Sequence, residues 1–186
     1  GEFNQKGSVG TRYGTKKEYL EAIDAMKAQG INVYADISVR QKLGADSVEK
    51  VTAADFNAKD IPQMIGNKKI VGALSKFTFA GRRSKYSKFK WNWNHFAGID
   101  WQQDDFKKRV CELSGMTEEE AEKKYKLSKY DYIIGSELDL YNQEVYDELM
   151  TWAKWYEDVT GVDGFRFQEA EKVPGWFIRD FAEAAS

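Results

Sequence analysis

The chain has little of what marks disulfide-rich, metal-binding or membrane-spanning proteins: one cysteine, one histidine and no long apolar run in 186 residues. Because a disulfide needs two cysteines, Cys111 cannot form one within the chain. A single cysteine also does not indicate whether the protein resides in an oxidising or a reducing compartment. His95 has no second histidine or cysteine near it, so we expect a structural role more often than metal ligation. No stretch is long enough to cross a membrane and no signal peptide opens the sequence, which favours a soluble protein of unknown localisation without a membrane partner.

An excess of one charge is also missing, since 28 lysines and arginines face 30 aspartates and glutamates. A chain without a net positive field does not attract nucleic acid, so we expect no nucleic-acid partner. The hydrophobic content of 42% excludes a disordered tail. The length of 186 residues is enough for one domain or for a domain with an inserted lobe.

A helix followed by a strand is predicted near the start of the chain. Thr15 can cap the helix and Glu18, three residues later, completes a capping box, while Gly30 is a natural stop. The β-rich run over residues 31–39 follows as a buried strand. The apolar residues at helical spacing on one face of this helix are Tyr19, Leu20, Ile23 and Met26.

The same order recurs near the other end of the sequence. Asn142 can cap a helix that Gly161 ends, residues 162–167 form the next strand, and a further helix starts near Pro174. This repeated order favours a parallel α/β framework interrupted by a long insertion. The apolar face of the helix after Asn142 consists of Val145, Leu149, Trp152, Tyr156 and Val159.

The predicted domains are therefore a framework, residues 1–39 with 142–186, and an inserted lobe, residues 40–141. Alternating apolar residues and punctuating glycines predict that the lobe is small, irregular, α+β and rich in strands. The elements predicted within it are strands over residues 50–56, 68–79 and 88–96, and a helix over 116–127 that Thr117 and Glu120 can cap.

The predicted fold class is α/β, a partial TIM-barrel segment of about two barrel strands with their helices, interrupted by this lobe. A complete (β/α)₈ barrel needs about 250 residues or more. Either the chain is a piece of a larger barrel, or it protects its exposed strand edges in another way. We expect self-association by edge pairing, or pairing with the missing barrel portion.

The strand over residues 162–167 ends in polar side chains, and strand ends are where α/β proteins usually place their chemistry. The residues after it include Gln168, Glu169, Glu171 and Lys172. This stretch, together with three others, carries a resemblance to a known family. The four stretches are GEFNQKGSVGTRYGTKKEYLEAIDAMKAQGINVYADISV, SKFTFAGRRSKYSKFKWNWNHFAGIDW, YDYIIGSELDL and VDGFRFQEAEK.

In this order, the four stretches resemble the bacterial-type α-amylases of the glycoside hydrolase family 13 clan. The resemblance implies a barrel segment from the second to the fourth helix, with domain B between strands three and four. Members of the family hydrolyse α-1,4-glucans such as starch and glycogen with retention. Their aspartate nucleophile ends strand four, and their acid/base glutamate ends strand five, beyond the residues matched here. Retaining chemistry needs these two carboxylates about 5 Å apart.

The resemblance places Gln168 at the nucleophile position, and a carboxamide is a poor nucleophile. Arg166, which orients the nucleophile in the family, and Asp36 remain, whereas Gln41 stands in place of a substrate-contacting histidine. We therefore expect a non-catalytic amylase-like protein, natural or engineered. The alternatives are a glucan-binding or protein-interaction scaffold, and one part of a split or assembled amylase. Arg166 is also open to a scaffold role through pairing with Glu169 or Glu171.

The resemblance also implies a calcium site, and its ligand positions are altered here. Asp139 matches an acidic position of a second metal site, where the family's next aspartate is Tyr141. We expect no cofactor, with calcium, a trait of the family, as the alternative, because the Lys172 carbonyl could still serve as a ligand. Our hypothesis is that Arg40, with Lys172, supplies the missing positive charge to Asp131 and Glu137. The residues at the four calcium-ligand positions are Arg40, Asp131, Glu137 and Lys172.

Aromatic residues in KWNWNHF offer a second candidate site. Trp91 and Trp93 could stack on the rings of an α-glucan, which is the substrate-class partner that the resemblance implies. A run of this kind more often packs the core of its own lobe.

Overall fold

The computed structural model describes most of the framework and a large part of the predicted lobe. The predicted helix over residues 116–127, with Thr117 and Glu120, lies outside the described residues, as does Asp131. None of the helices in the described part is long and apolar enough to cross a membrane. The described residues are 10–11, 13–57, 63–81, 85, 87–101, 108–112 and 135–185.

The first helix, α1 (Lys16–Ala28), begins as the sequence predicts. The Thr15 hydroxyl oxygen accepts the Glu18 N–H at 3.3 Å, and a Glu18 carboxylate oxygen accepts the Thr15 N–H at 2.8 Å, which closes the capping box. The predicted apolar face is only partly right, because Ile23 is buried whereas Tyr19 and Met26 are exposed. The flanking strands are β1 (Gly10–Thr11), β2 (Gly14–Thr15) and β3 (Tyr34–Ile37).

The second helix–strand unit is also confirmed. Its helix starts at Asn142, whose side-chain oxygen accepts the Glu144 N–H at 2.9 Å, and ends at Gly161 with a left-handed φ of 66°. Its strand pairs in parallel with β3, which is the predicted arrangement. These elements are α2 (Gln143–Thr160), β10 (Gly164–Phe167) and α3 (Gly175–Ala184).

The side chain of Asp163 fastens the starts of both parallel strands. One carboxylate oxygen accepts the Val33 N–H at 2.8 Å, and the other lies 3.0 Å from Lys27 Nζ. Lys27 also donates to the Gly161 carbonyl at 2.6 Å. The Val33 N–H, followed by Lys27, holds the pKa of the Asp163 carboxyl below its ordinary value. The end of α1 and the start of β10 are thus held together.

An aromatic cluster fills the space between the two C-terminal helices and the parallel strands. Phe181 of α3 is 0% exposed. Its ring centroid lies 5.3 Å from that of Phe165 and 5.1 Å from that of Phe167, both in edge-on contact, and 6.2 Å from that of Trp152 on α2. Edge-on aromatic pairs add to the hydrophobic gain from burying the rings. This cluster fixes α2 and α3 against β10.

A six-stranded antiparallel sheet forms the described part of the lobe, with the strand order β4-β9-β7-β8-β5-β6. On its long hairpin, Val51, Ala53, Val71 and Ala73 are buried, as expected for one face of a half-buried sheet. The strands are β4 (Gln41–Lys42), β5 (Ser47–Asn57), β6 (Gln63–Lys76), β7 (Phe96–Trp101), β8 (Lys108–Glu112) and β9 (Ser136–Leu138).

The predicted strand over residues 50–56 lies within β5, and that over residues 68–79 is confirmed as far as Lys76, where β6 ends. The third predicted strand, over residues 88–96, is wrong. Residues Trp93–His95 form a 3₁₀ turn, and strand β7 starts at Phe96. The Asn92 side chain accepts the Asn94 N–H at 3.0 Å, so a local side-chain bond competes with strand pairing. The domain boundaries and the expected self-association stay predictions.

Candidate functional site at the end of the parallel strands

The carboxyl ends of β3 and β10 bring the predicted catalytic residues to one edge of the framework. The Gln168 N–H donates to the Ile37 carbonyl at 2.9 Å, which extends the strand pairing by one residue beyond β10. The Gln168 side chain is exposed. Strand β10 thus presents a neutral carboxamide to solvent where it ends.

Arg166 and Asp36 lie directly opposite each other in the register of β10 and β3. Arg166 Nε lies 3.3 Å from an Asp36 carboxylate oxygen, and both side chains are largely exposed. Within the described part of the chain, Arg166 thus pairs with Asp36, whereas the scaffold role predicted pairing with Glu169 or Glu171. An ion pair this exposed adds little to stability, so it mainly orients the two side chains.

Arg40 lies buried between the parallel strands and the lobe sheet, with 2% of its surface exposed. Its carbonyl accepts the Leu138 N–H of β9 at 2.7 Å. Its Nε lies 3.7 Å from the Glu137 carboxylate and its Nη1 lies 4.0 Å from the Glu169 carboxylate. Within the described part of the chain, none of its three guanidinium nitrogens makes a hydrogen bond. Arg40 is thus a buried cation held by charge between two elements.

Glu169 is the member of this cluster that the sequence did not reveal. It follows Gln168 with a left-handed φ of 51°, and the 3₁₀ turn Ala170–Lys172 follows it. Lys172 Nζ donates to a Glu169 carboxylate oxygen at 2.6 Å, and the Lys172 N–H donates to the Glu169 carbonyl at 2.9 Å. The hydrogen bond from Lys172 is the largest effect and lowers the pKa of the Glu169 carboxyl; burial opposes it, and the charges of Arg40 and Lys172 lower the pKa further. The spacing from Glu169 to Lys172 was a local signal that could have identified this pair.

Acid is expected to weaken this cluster. Because the folded-state pKa of Glu169 lies below the ordinary glutamate value of 4.5, its contribution to stability is present above about that pH and is lost as the pH falls through the folded-state pKa. The wild-type melting temperature should therefore fall more steeply in acid than that of Glu169→Gln, as followed by circular dichroism. The matched control is Glu171→Gln, an exposed glutamate of the same turn, which should keep the wild-type slope. A Glu169→Gln chain with the wild-type slope would contradict the assignment.

Asp139 has a structural position in the turn that leads into α2. Its N–H donates to the His95 carbonyl at 2.9 Å, and one of its carboxylate oxygens accepts the Tyr141 N–H at 3.1 Å. The Asn142 N–H donates to its carbonyl at 3.0 Å. Among the described residues, no group of three or more histidine, cysteine, aspartate or glutamate side chains is placed to hold a metal ion.

His95 is buried and has the structural role that the sequence favoured. Its Nδ1 accepts the Asn92 N–H at 3.0 Å, so the ring proton lies on Nε2, 3.2 Å from a Glu144 carboxylate oxygen. Burial lowers the pKa of His95 despite the opposing effect of Glu144. The neutral ring therefore fastens the Trp93–His95 turn to the start of α2.

The two tryptophans proposed for sugar contact differ in exposure. Trp91 is 3% exposed, packs edge-on against Phe89 at 5.0 Å, and lies under Lys42 Nζ, 4.3 Å from its ring centroid. A buried ring cannot stack on a sugar, so the proposed contact falls to Trp93, which is 36% exposed. Gln41 is half-buried in β4, opposite Glu137 of β9.

Several known proteins are similar in sequence to this chain over nearly its whole length. An α-amylase of Geobacillus stearothermophilus is 41% identical over 182 residues, which cover 97% of this chain and 33% of that protein. The chain is a homologue of bacterial α-amylases. The Bacillus licheniformis α-amylase is 36% identical over 181 residues, and the cytoplasmic α-amylase of Escherichia coli (strain K12) is 35% identical, covering 97% and 98% of this chain.

The chain spans about a third of the length of these relatives, from 33% to 38%. No family model matches the chain. A solved α-amylase structure from Malbranchea cinnamomea aligns with 92% of this chain and 27% of that chain, with a TM-score of 0.47 and 13% identity. The sequence relatives confirm the family resemblance, and the parallel strand pair with its helices and inserted sheet fits the predicted partial barrel with domain B.

Proposed function

We propose that this chain is an α-amylase homologue that does not hydrolyse α-1,4-glucans. The observation that carries the proposal is Gln168, which follows β10 where the amylase motif has its aspartate nucleophile. A carboxamide carries no negative charge, so it cannot form the glycosyl ester through which a retaining glycosidase works. The neighbouring Arg166–Asp36 pair supports a site in which the nucleophile changed while its surroundings kept their order.

A reducing-sugar assay on soluble starch tests this proposal. The purified chain should release no more sugar than buffer, whereas the Bacillus licheniformis α-amylase at the same molar concentration should give a strong signal. Turnover by the purified chain would overturn the proposal, and would favour a working part of an assembled amylase.

We propose α-glucan binding without cleavage as the second candidate function, because Trp93 keeps part of its ring in solvent. Its N–H donates to a Glu49 carboxylate oxygen at 2.8 Å, which fixes the backbone of the turn that carries the ring. Aromatic rings presented on a rigid turn can stack on sugars at a low entropy cost.

Pull-down on glycogen or starch granules tests this second function. Trp93→Ala should lower the retained fraction of the chain several-fold, because stacking on the ring is lost. Tyr13→Ala removes another aromatic side chain, 94% exposed, and should leave retention unchanged. Equal retention of the two variants, or no retention of wild type, would rule out Trp93 as the glucan contact.

A further inference from the structure

The buried guanidinium of Arg40 contacts both the framework and the lobe. Arg40 stands directly before β4, its carbonyl bonds to β9, and its guanidinium faces Glu137 on β9 and Glu169 after β10. Glu137 is itself buried, with 4% of its surface exposed. A side chain that contacts the lobe sheet and the end of a framework strand at once is placed to hold the two together.

The charges of this cluster compensate one another. Removing a charge from water is costly unless an opposite charge lies close, so a buried guanidinium and a buried carboxylate must be paired. The named side chains supply two positive charges, from Arg40 and Lys172, and two negative charges, from Glu137 and Glu169. The buried Arg40 is therefore a charge partner of the buried Glu137.

Arg40 contacts its two carboxylate partners as a bound cation would, by charge, and not through directed hydrogen bonds. Its nitrogens lie 3.7 and 4.0 Å from the two carboxylates, and in the described residues no hydrogen bond reaches any of its three guanidinium nitrogens. Arginine usually binds carboxylates through paired, directed hydrogen bonds. At Arg40 the charge, rather than the geometry of the fork, makes the contact.

These residues do not fit the calcium ion that the amylase resemblance implies. Calcium requires six to eight oxygen ligands. Here a permanently charged guanidinium, which offers donors and no acceptor, occupies a ligand position and already neutralises the nearby carboxylates. A divalent cation at the same place would face this positive charge in a buried setting.

We propose that the Arg40 side chain takes the place of the divalent cation, and that the chain joins its lobe to its strand end without calcium. Melting curves of the wild-type chain test this first. Excess EDTA and excess calcium chloride should each leave the melting temperature unchanged, and elemental analysis should find no stoichiometric calcium. A melting temperature that falls in EDTA, or one calcium per chain, would overturn the proposal.

Three variants separate charge from packing. Arg40→Met keeps an apolar stem and removes the charge, so the buried Glu137 carboxylate loses the guanidinium that lies 3.7 Å away and the melting temperature should fall by about 10 °C. Arg40→Lys keeps the charge and should retain most of the wild-type value. Arg179→Met, a matched change at an exposed arginine, should have little effect. An Arg40→Met chain as stable as Arg179→Met, or a lysine variant as unstable as the methionine variant, would refute the charge role.

Discussion

Replacing Phe181 with alanine is expected to lower the free energy of unfolding by about 3–5 kcal/mol. The ring is fully buried and contacts Phe165 and Phe167 on β10 and Trp152 on α2. Its removal loses the hydrophobic gain of burying a whole ring and leaves a cavity that the rigid strand pair cannot fill. Urea unfolding followed by circular dichroism measures the change, provided that the denaturant dependence stays the same.

The control for this experiment is Tyr13→Ala, because Tyr13 is 94% exposed. Its effect should stay within about 0.5 kcal/mol. If Phe181→Ala lowered the free energy of unfolding no more than this control, α3 would not pack on the strand pair. The helix would then not hold β10, whose end carries the candidate site, in place.

Replacing Gly135 with alanine is expected to be the second large effect, about 2–5 kcal/mol. Gly135 has a φ of +84° and precedes β9, and an added Cβ would lie 2.6 Å from the Lys42 carbonyl oxygen. Backbone on both sides would have to move, which would displace Glu137 two residues later. The same unfolding measurement applies, with calorimetry as a second readout.

Gly161→Ala is the matched control for the backbone term. Gly161 also has a positive φ, +66°, but nothing lies within 4 Å of its added Cβ. It should therefore lose only the cost of a left-handed alanine, about 1–2 kcal/mol. Equal losses for the two variants would show that Gly135 does not lie against the Lys42 carbonyl, which would contradict the pairing of β4 with β9.

Helix starts and stops could be predicted from the sequence because their causes are local. The side chains of Thr15, Glu18 and Asn142 accept backbone N–H groups at the helix starts, and Gly161 ends its helix. All of these contacts join residues no more than four apart in sequence. The parallel pairing of the two framework strands followed from the repeated helix–strand order. The assignment of Gln168 to the nucleophile position rests on the family motif and stays a prediction.

The remaining features depend on neighbours that the pattern does not show. Tyr19 and Met26 have apolar spacing, yet they stay exposed because burial depends on what packs against the helix. The aromatic run before β7 has strand-like composition, but the Asn92 side chain turns the backbone instead. The contact of Arg40 with Glu169 joins residues far apart in sequence, and only the fold brings them together.

Covalent trapping with an activated fluoro-sugar fluoride tests most directly the proposal that this chain lacks the nucleophile of its amylase relatives. Fluoride leaves without protonation, so formation of a glycosyl adduct depends on the nucleophile and not on the acid/base residue. With Gln168 at that position, intact-mass analysis should show no adduct on this chain, under conditions that label the Bacillus licheniformis α-amylase. A glycosyl adduct on the wild-type chain would contradict the proposal that the chain lacks a catalytic nucleophile.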